Sequence, residues 1–317
     1  MPIHDRPHRL LPGSLAGSML VCLVSTAHAQ APGPFGPRIG GYVQARETWR
    51  SGAGLTGTIN RARVGVTGAL TGGWFYAATA ELASGDSATT RVESRLRDAY
   101  LGWRGGGFAV QAGQYKTPFS AQYLTQLTRV ETADRAAVVH GLAPERDIGV
   151  MGSYAWKQLA TLAVGVFNGR GQNVGANNDS TVLVVGRATV RPVQALTIGA
   201  NVARYRDSTR YGLDAALAYA GWGLKAEYLW QHRLAVGRDD RGYYVMATYW
   251  LLPGLQLLAE QEDFERPAIP TFPRNTAWVA GANLFVPRDH IRLSANYVSR
   301  RVGTRTGAVI TEAQVQF

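Results

Sequence analysis

One cysteine, three lysines and six histidines in 317 residues leave little room for several kinds of chemistry. The cysteine, Cys22, falls in the first 29 residues, so the chain from residue 30 onward has no thiol for a disulfide or a cysteine-bound metal. From residue 30 the remaining histidines, His140, His232 and His290, stand far apart. No H-E-x-x-H pair, G-x-S-x-G elbow or phosphate loop is present. GDSAT at 85–89 has no histidine nearby, and Asn177-Asn178-Asp179 supplies one carboxylate where calcium needs several. A hydrolase would need a clustered histidine with serine or carboxylates, which these residues do not assemble, and no metal or cofactor is expected. Long apolar runs are also missing after residue 30. A helix crossing a bilayer takes about 20 such residues, so any crossing must use strands.

The first 29 residues differ from the rest. Arg6, His8 and Arg9 precede an apolar stretch over 10–26, and Ala27-His28-Ala29 has the small-x-small form of a cleavage site. They read as a secretory signal, with the mature chain at 30–317. Val21 before Cys22 is too large for a lipoprotein site. Removing Arg6, Arg9 and Asp5 leaves 31 basic and 21 acidic residues. Such an excess fits anionic solutes, an anionic membrane surface or nucleic acid, and export argues against the last.

What is abundant is alternation. With 37 glycines and 46% hydrophobic residues the chain is not disordered. About sixteen segments of nine to thirteen residues read with period two, the length of a tilted membrane strand. They fall near 38–50, 58–70, 73–83, 93–104, 107–115, 146–156, 158–168, 181–191, 195–206, 211–220, 222–232, 242–251, 254–264, 276–286, 290–300 and 307–317. The connections alternate between tight turns, such as 71–72, 105–106 and 287–289, and longer polar loops at 51–57, 84–92, 169–180, 207–210, 233–241, 265–275 and 301–306. Short turns on one rim and long loops on the other predict an all-β transmembrane antiparallel barrel of about 16 strands. One connection stands apart: between residues 116 and 146 lie Pro118, Pro144 and mixed charge with no period. Long structureless connections in compact folds are usually functional. This third external loop is expected to fold into the lumen as a constriction.

Parity assigns the faces. Ala62, Val64 and Val66 oppose Arg61, Arg63 and Thr67. Val184, Ala188 and Val190 oppose Arg187 and Thr189, and Leu293, Ala295 and Tyr297 oppose Arg292, Ser294 and Asn296. A charge facing the middle of a bilayer costs roughly 2–4 kcal/mol in a barrel, so the polar set faces inward. Tryptophans near segment ends, among them Trp49, Trp103, Trp156, Trp222 and Trp278, fit interfacial belts. The segment ending on Phe317 is similar to the terminal strand signal of outer-membrane barrels.

RARVGVTG at 61–68, RDAYLGW at 97–103, AGQYKTPFS at 112–120, RDIGV at 146–150, GVFNGRGQN at 165–173 and GRATVRP at 186–192 resemble the phosphate-selective porin O and P family. The resemblance implies a sixteen-stranded barrel, a homotrimer, and a third loop forming an anion-preferring constriction. On that pattern Arg46, Arg61, Arg63, Arg187 and Arg292 line the lumen, and Lys116, Arg129 and Arg135 lie on the loop. Guanidinium suits phosphate or carboxylate because its planar fork matches their oxygens and stays charged. Glu81, Asp98, Glu227, Glu260, Glu262 and Glu312 share the inward parity and offer a competing role for the arginines, as scaffold pairs. Loop arginines such as Arg170, Arg206, Arg210, Arg241 and Arg301 would bind lipopolysaccharide phosphates at the outer-membrane surface, steer anions or simply face solvent. The leading expectation is a passive outer-membrane channel for small hydrophilic anions, inorganic phosphate among them. A plugged barrel serving as a structural element or receptor remains the alternative.

Overall fold

A computed structural model describes residues 36–84, 95–234, 237–269, 271–286 and 290–317. The signal segment, the GDSAT stretch and the 287–289 turn lie outside the described residues. Sixteen strands follow in chain order: β1 (Gly36–Arg50), β2 (Gly54–Ala69), β3 (Trp74–Ser84), β4 (Arg95–Gly105), β5 (Phe108–Lys116), β6 (Arg146–Trp156), β7 (Ala160–Phe167) and β8 (Leu183–Val193). The second half comprises β9 (Leu196–Tyr205), β10 (Ser208–Tyr219), β11 (Trp222–Arg233), β12 (Arg238–Leu252), β13 (Leu255–Glu265), β14 (Asn275–Val286), β15 (Ile291–Val302) and β16 (Thr304–Gln316). Each pairs antiparallel with its sequence neighbours, and β1 pairs with β16 to close the barrel. Closure leaves no edge strand with unpaired backbone. No helix among the described residues is long and apolar enough to cross a membrane.

Burial follows the predicted parity. In β8, Val184, Ala188 and Val190 are exposed while Leu183, Val185, Arg187 and Thr189 are buried. In β15, Leu293, Ala295 and Tyr297 are exposed while Arg292, Ser294 and Asn296 are buried. Charged residues are thus covered inside and leucines and valines uncovered outside, the inverse of a water-soluble core. Trp49, Trp74, Trp103, Trp156, Trp222, Trp250 and Trp278 are all exposed. Trp230 stacks on Tyr211 with ring centroids 5.1 Å apart.

Several external loops are shorter than expected. The segments at 51–57, 207–210 and 301–306 are mostly strand, with turns confined to 51–53, 206–207 and Gly303. Arg50 pairs with Gly54, and Val302 with Thr304. Past the apolar band a strand no longer needs alternating side chains, so runs such as Gly54-Leu55-Thr56-Gly57 lose the period. Their backbone groups still need partners and find them in the neighbouring strand.

Not all inward residues are polar. Leu229, Tyr244, Met246, Phe264 and Val185 of the wall form a buried cluster with Phe119, Tyr123, Val138, Val139 and Leu142 of the connection between β5 and β6. Period-two reading assigned the inner face to polar side chains generally and did not anticipate this patch.

Candidate functional site

The connection leaves β5 at Lys116 and re-enters the sheet at Arg146. It contains α1 (Ala121–Leu124), a 3-10 turn at Leu127–Arg129, and α2 (Ala137–Leu142). Its neck is closed by Thr117, whose amide donates to Glu145 O at 3.2 Å and whose hydroxyl donates to Pro144 O at 2.6 Å. Ser120, in the left-handed region at φ +64°, accepts from the Tyr123 amide at 3.1 Å and so starts α1.

Both short helices are held by charges matched to their ends. Glu227 of β11 accepts from the Ala121 and Gln122 amides, each at 3.2 Å, at the start of α1. Glu262 of β13 accepts from the Ala137 amide at 2.5 Å, at the start of α2. At the far end of α1, Lys116 Nζ donates to the carbonyls of Tyr123, Leu124 and Thr125 at 2.7, 3.0 and 3.0 Å. Arg135 donates to the carbonyls of Gln122, Tyr123 and Thr125 at 3.0, 2.9 and 2.8 Å, with its guanidinium 4.8 Å over the Tyr123 ring. Burial without a carboxylate partner pulls the Arg135 pKa down to about 10.

A second set of bonds ties the connection to the seam between the first and last strands. Glu312 of β16 accepts from Arg46 of β1 at 3.1 Å, from Asn60 of β2 at 2.9 Å and from Arg292 of β15 at 3.4 Å. Arg46 reaches on to Asp134, at 3.1 Å to each oxygen, and to Ala133 O at 2.6 Å. Arg292 donates to Thr128 O and Val130 O at 3.2 and 2.7 Å. Asn283 meets Glu131 O, Asn296 meets the Ala133 amide, and Lys225 pairs with Glu131. Burial raises the Asp134 carboxyl, but Arg46 and Arg61 outweigh it and hold the group below its ordinary value.

The eight cations named from sequence therefore sit in unequal settings. Arg46 and Arg292 serve the seam. Arg61 donates to Gln44 at 3.1 Å, with Asp134 4.0 Å away. Arg63 pairs with Glu81 at 2.7 Å. Arg187 forms a fork with Asp214 at 2.7 and 2.9 Å and also meets Asn201. Lys116 and Arg135 hold α1. Arg129 alone of the eight is exposed, and its side chain has no hydrogen bond or ion pair among the described residues. The scaffold pairing weighed from the sequence accounts for most of the set.

Two further inward cations were not named as pore-lining from the sequence, where Arg210 was read as lying beside an external loop. Arg38 of β1 is exposed, and Arg210 of β10 is half-buried; neither has a bonded partner among the described residues. The inward parity of Arg38 was readable, yet no pattern separated it from paired arginines, because pairing depends on strand register. No group of three or more metal-ligating side chains occurs among the described residues. His232 pairs with Asp239 at 2.7 Å, and His140 stands on α2.

The sequence motifs map onto the anchorage. Arg146 forks onto Asp98 at 3.0 Å through both oxygens, and Asp147 accepts from the Gly169 amide at 2.7 Å. This joins RDAYLGW, RDIGV and FNGRGQN. Gln114 exchanges bonds with Asn173 at 3.0 and 2.6 Å. Gly113 has φ +130°, and a Cβ there would lie 2.2 Å from Ala99 O, so AGQYK requires glycine at that place.

A closed sixteen-strand barrel that turns tryptophans and aliphatic side chains outward and charged ones inward is the architecture of an outer-membrane porin, a channel rather than an enzyme. The model of the phosphate-selective porin O and P family matches residues 46–209, just over half of the sequence, and the chain belongs to that family. Comparison with curated proteins finds no match. Among solved structures the chain is similar to the outer membrane channel DcaP of Acinetobacter baumannii, at 14% identity and TM-score 0.67, covering 89% of this chain and 97% of that one. It is also similar to an anion-selective porin from Comamonas acidovorans (14%, TM-score 0.66, 90% and 100% covered). OmpT of Vibrio cholerae matches at 12% identity and TM-score 0.64, with 89% and 97% covered. At these identities the likeness shows the fold.

Proposed function

We propose that residues 116–146 form a constriction inside the barrel and that the channel passes small anions, inorganic phosphate among them, by diffusion. The observation that carries this reading is Arg129. It is the one loop cation free of internal partners, on a segment whose other cations are consumed in holding its shape. A fixed positive charge lowers the entry cost for anions, and weak, unsaturated binding lets them leave. The bonds from Glu227, Glu262, Arg46 and Arg292 support a rigid aperture, because they fix both short helices and the 3-10 turn to the wall. Arg210 extends the positive path on the long-loop side.

Phosphate as a permeant follows from the family's description, and the Comamonas porin's anion selectivity points the same way. The site assignment narrows to Arg129 for direct contact with ions. Arg46, Arg61, Arg63, Lys116, Arg135, Arg187 and Arg292 set the field and the frame. Residues 1–29 are proposed to be the export signal and 30–317 the barrel domain. A homotrimer is supported by the trimer form of the V. cholerae OmpT. An outward depression lined by Ala45, Ala282, Ala295 and Ala313 offers small side chains for close contact between copies. Membrane lipid and lipopolysaccharide phosphates are the partners assigned to the outer surface and the external arginines.

Planar-bilayer recording of the refolded chain in asymmetric chloride tests the reading. Anion-selective steps are expected, and cation-selective steps would refute it. A folded barrel giving no steps would establish a plugged structural barrel.

A further inference from the structure

Beneath the connection, toward the tight-turn rim, lies a cavity of about 550 Å³. Its wall is unlike the charged seam. Tyr42, Tyr100 and Tyr115 line it from β1, β4 and β5, and Leu124 and Leu127 line it from the connection above. Tyr100 and Tyr115 pack edge to face at 5.6 Å, which fixes their rings. Most of its charges are already committed: Arg63 to Glu81, Arg146 to Asp98, and Lys116 to three carbonyls. Arg38 also lines it, exposed and without a bonded partner among the described residues.

We propose that this chamber is a binding subsite for monoanionic organic acids with a ring or branched apolar body, gripped by Arg38. The inference rests on the porin reading and adds a substrate class to it. One free guanidinium presents a fork that matches the two oxygens of a single carboxylate. Tyrosine and leucine walls reward an apolar body at about 25 cal/mol per Å² removed from water. Inorganic phosphate is served poorly here. It needs several convergent donors to replace its hydration and gains nothing from aromatic or aliphatic surface. Arg38, which no carboxylate side chain among the described residues pairs, leaves an uncompensated positive charge at the binding position, so an organic cation of the same shape is disfavoured.

The probes are benzoate, acetate and inorganic phosphate, added to the refolded full-length barrel during single-channel recording in potassium chloride. Benzoate is expected to interrupt the current at concentrations at least tenfold below acetate, and phosphate is expected to leave the benzoate response unchanged. Arg38→Gln is expected to weaken the benzoate effect at least tenfold while the chloride steps persist. The Arg38 side chain holds no bond among the described residues, so this variant should fold as the parent does, which heat-modifiable gel migration checks. Equal action of benzoate and acetate, competition by phosphate, or an Arg38→Gln channel blocked like the parent would each overturn the subsite and leave the porin reading intact. Loss of chloride steps in the parent protein would overturn the porin reading. Calorimetric titration of the detergent-folded barrel with benzoate tests the subsite without conduction: Arg38-dependent heat supports it, and none removes it.

Discussion

Reversing the charge at Arg129 is the sharpest test of how this channel selects ions. The side chain is exposed and has no partner among the described residues, so Arg129→Glu changes the lumen by two full charges without breaking a bond there. An ion passing about 5 Å from a unit charge in water feels about 0.8 kcal/mol. Screening at 0.1 M salt, where the Debye length is about 10 Å, reduces this to about 0.5 kcal/mol. Two charges then raise the anion's cost by about 1 kcal/mol and lower the cation's by the same amount. The total of about 2 kcal/mol is roughly a 30-fold change in the anion-to-cation permeability ratio. Arg129→Gln should give half of that in free energy, roughly fivefold. At 1 M salt the Debye length of about 3 Å shrinks the Glu effect to roughly threefold. Reversal potentials across a chloride gradient, at both salt levels, supply the readout. A shift below twofold at 0.1 M, or one that does not shrink with salt, would show that ions do not pass near Arg129.

Arg135→Glu should act differently: the guanidinium that closes α1 is lost, so unstable, noisy current is expected in place of a clean change of selectivity. Deleting residues 121–143 should raise single-channel conductance, and an unchanged conductance would place the connection outside the ion path. Glu312→Ala leaves Arg292 buried without its carboxylate and Arg46 with Asp134 alone; a loss of about 3–5 kcal/mol is expected in urea unfolding, and an unchanged midpoint would deny the hub its role. Acid should loosen the connection in two stages. Burial, aided by Arg135, lowers the His140 pKa, so its contribution is present above the ordinary imidazole value of about 6.5 and is lost as pH falls below it. The depressed Asp134 carboxyl contributes above the ordinary value of about 3.9 and loses its contribution as pH falls through its lower folded value. Open-channel noise should rise in both windows, and His140→Asn should remove only the first.

The barrel was legible because membrane strands write their faces into the sequence. Val184 and Arg187, or Leu293 and Arg292, could not both face lipid, so parity settled the orientation of each strand. Loop lengths were less legible, since residues such as Thr304 and Thr306 pair through their backbones with no pattern in their side chains. Arginine identity was visible and arginine role was not. Arg187 and Arg129 look alike in one dimension, and only register brings Asp214 beside the first. The apolar inner patch of Leu229, Met246 and Phe264 was hidden for a related reason: its partners lie about a hundred residues earlier, in a stretch with no period of its own.

The bonds around Glu312 also bear on assembly order. The carboxylate sits on the final strand, and the groups that converge on it come from β1, β2 and β15, with Asp134 and Ala133 joined through Arg46. The clasp that shuts the cylinder and the brace that steadies the connection between β5 and β6 are therefore one set of bonds. A nascent barrel still open at that seam can hold the 3-10 turn through Arg292 and Gln314 but lacks the Arg46 bonds to Ala133 and Asp134, so the brace is finished only when the wall is. Completion of the brace and sealing of the wall thus fall in the same step.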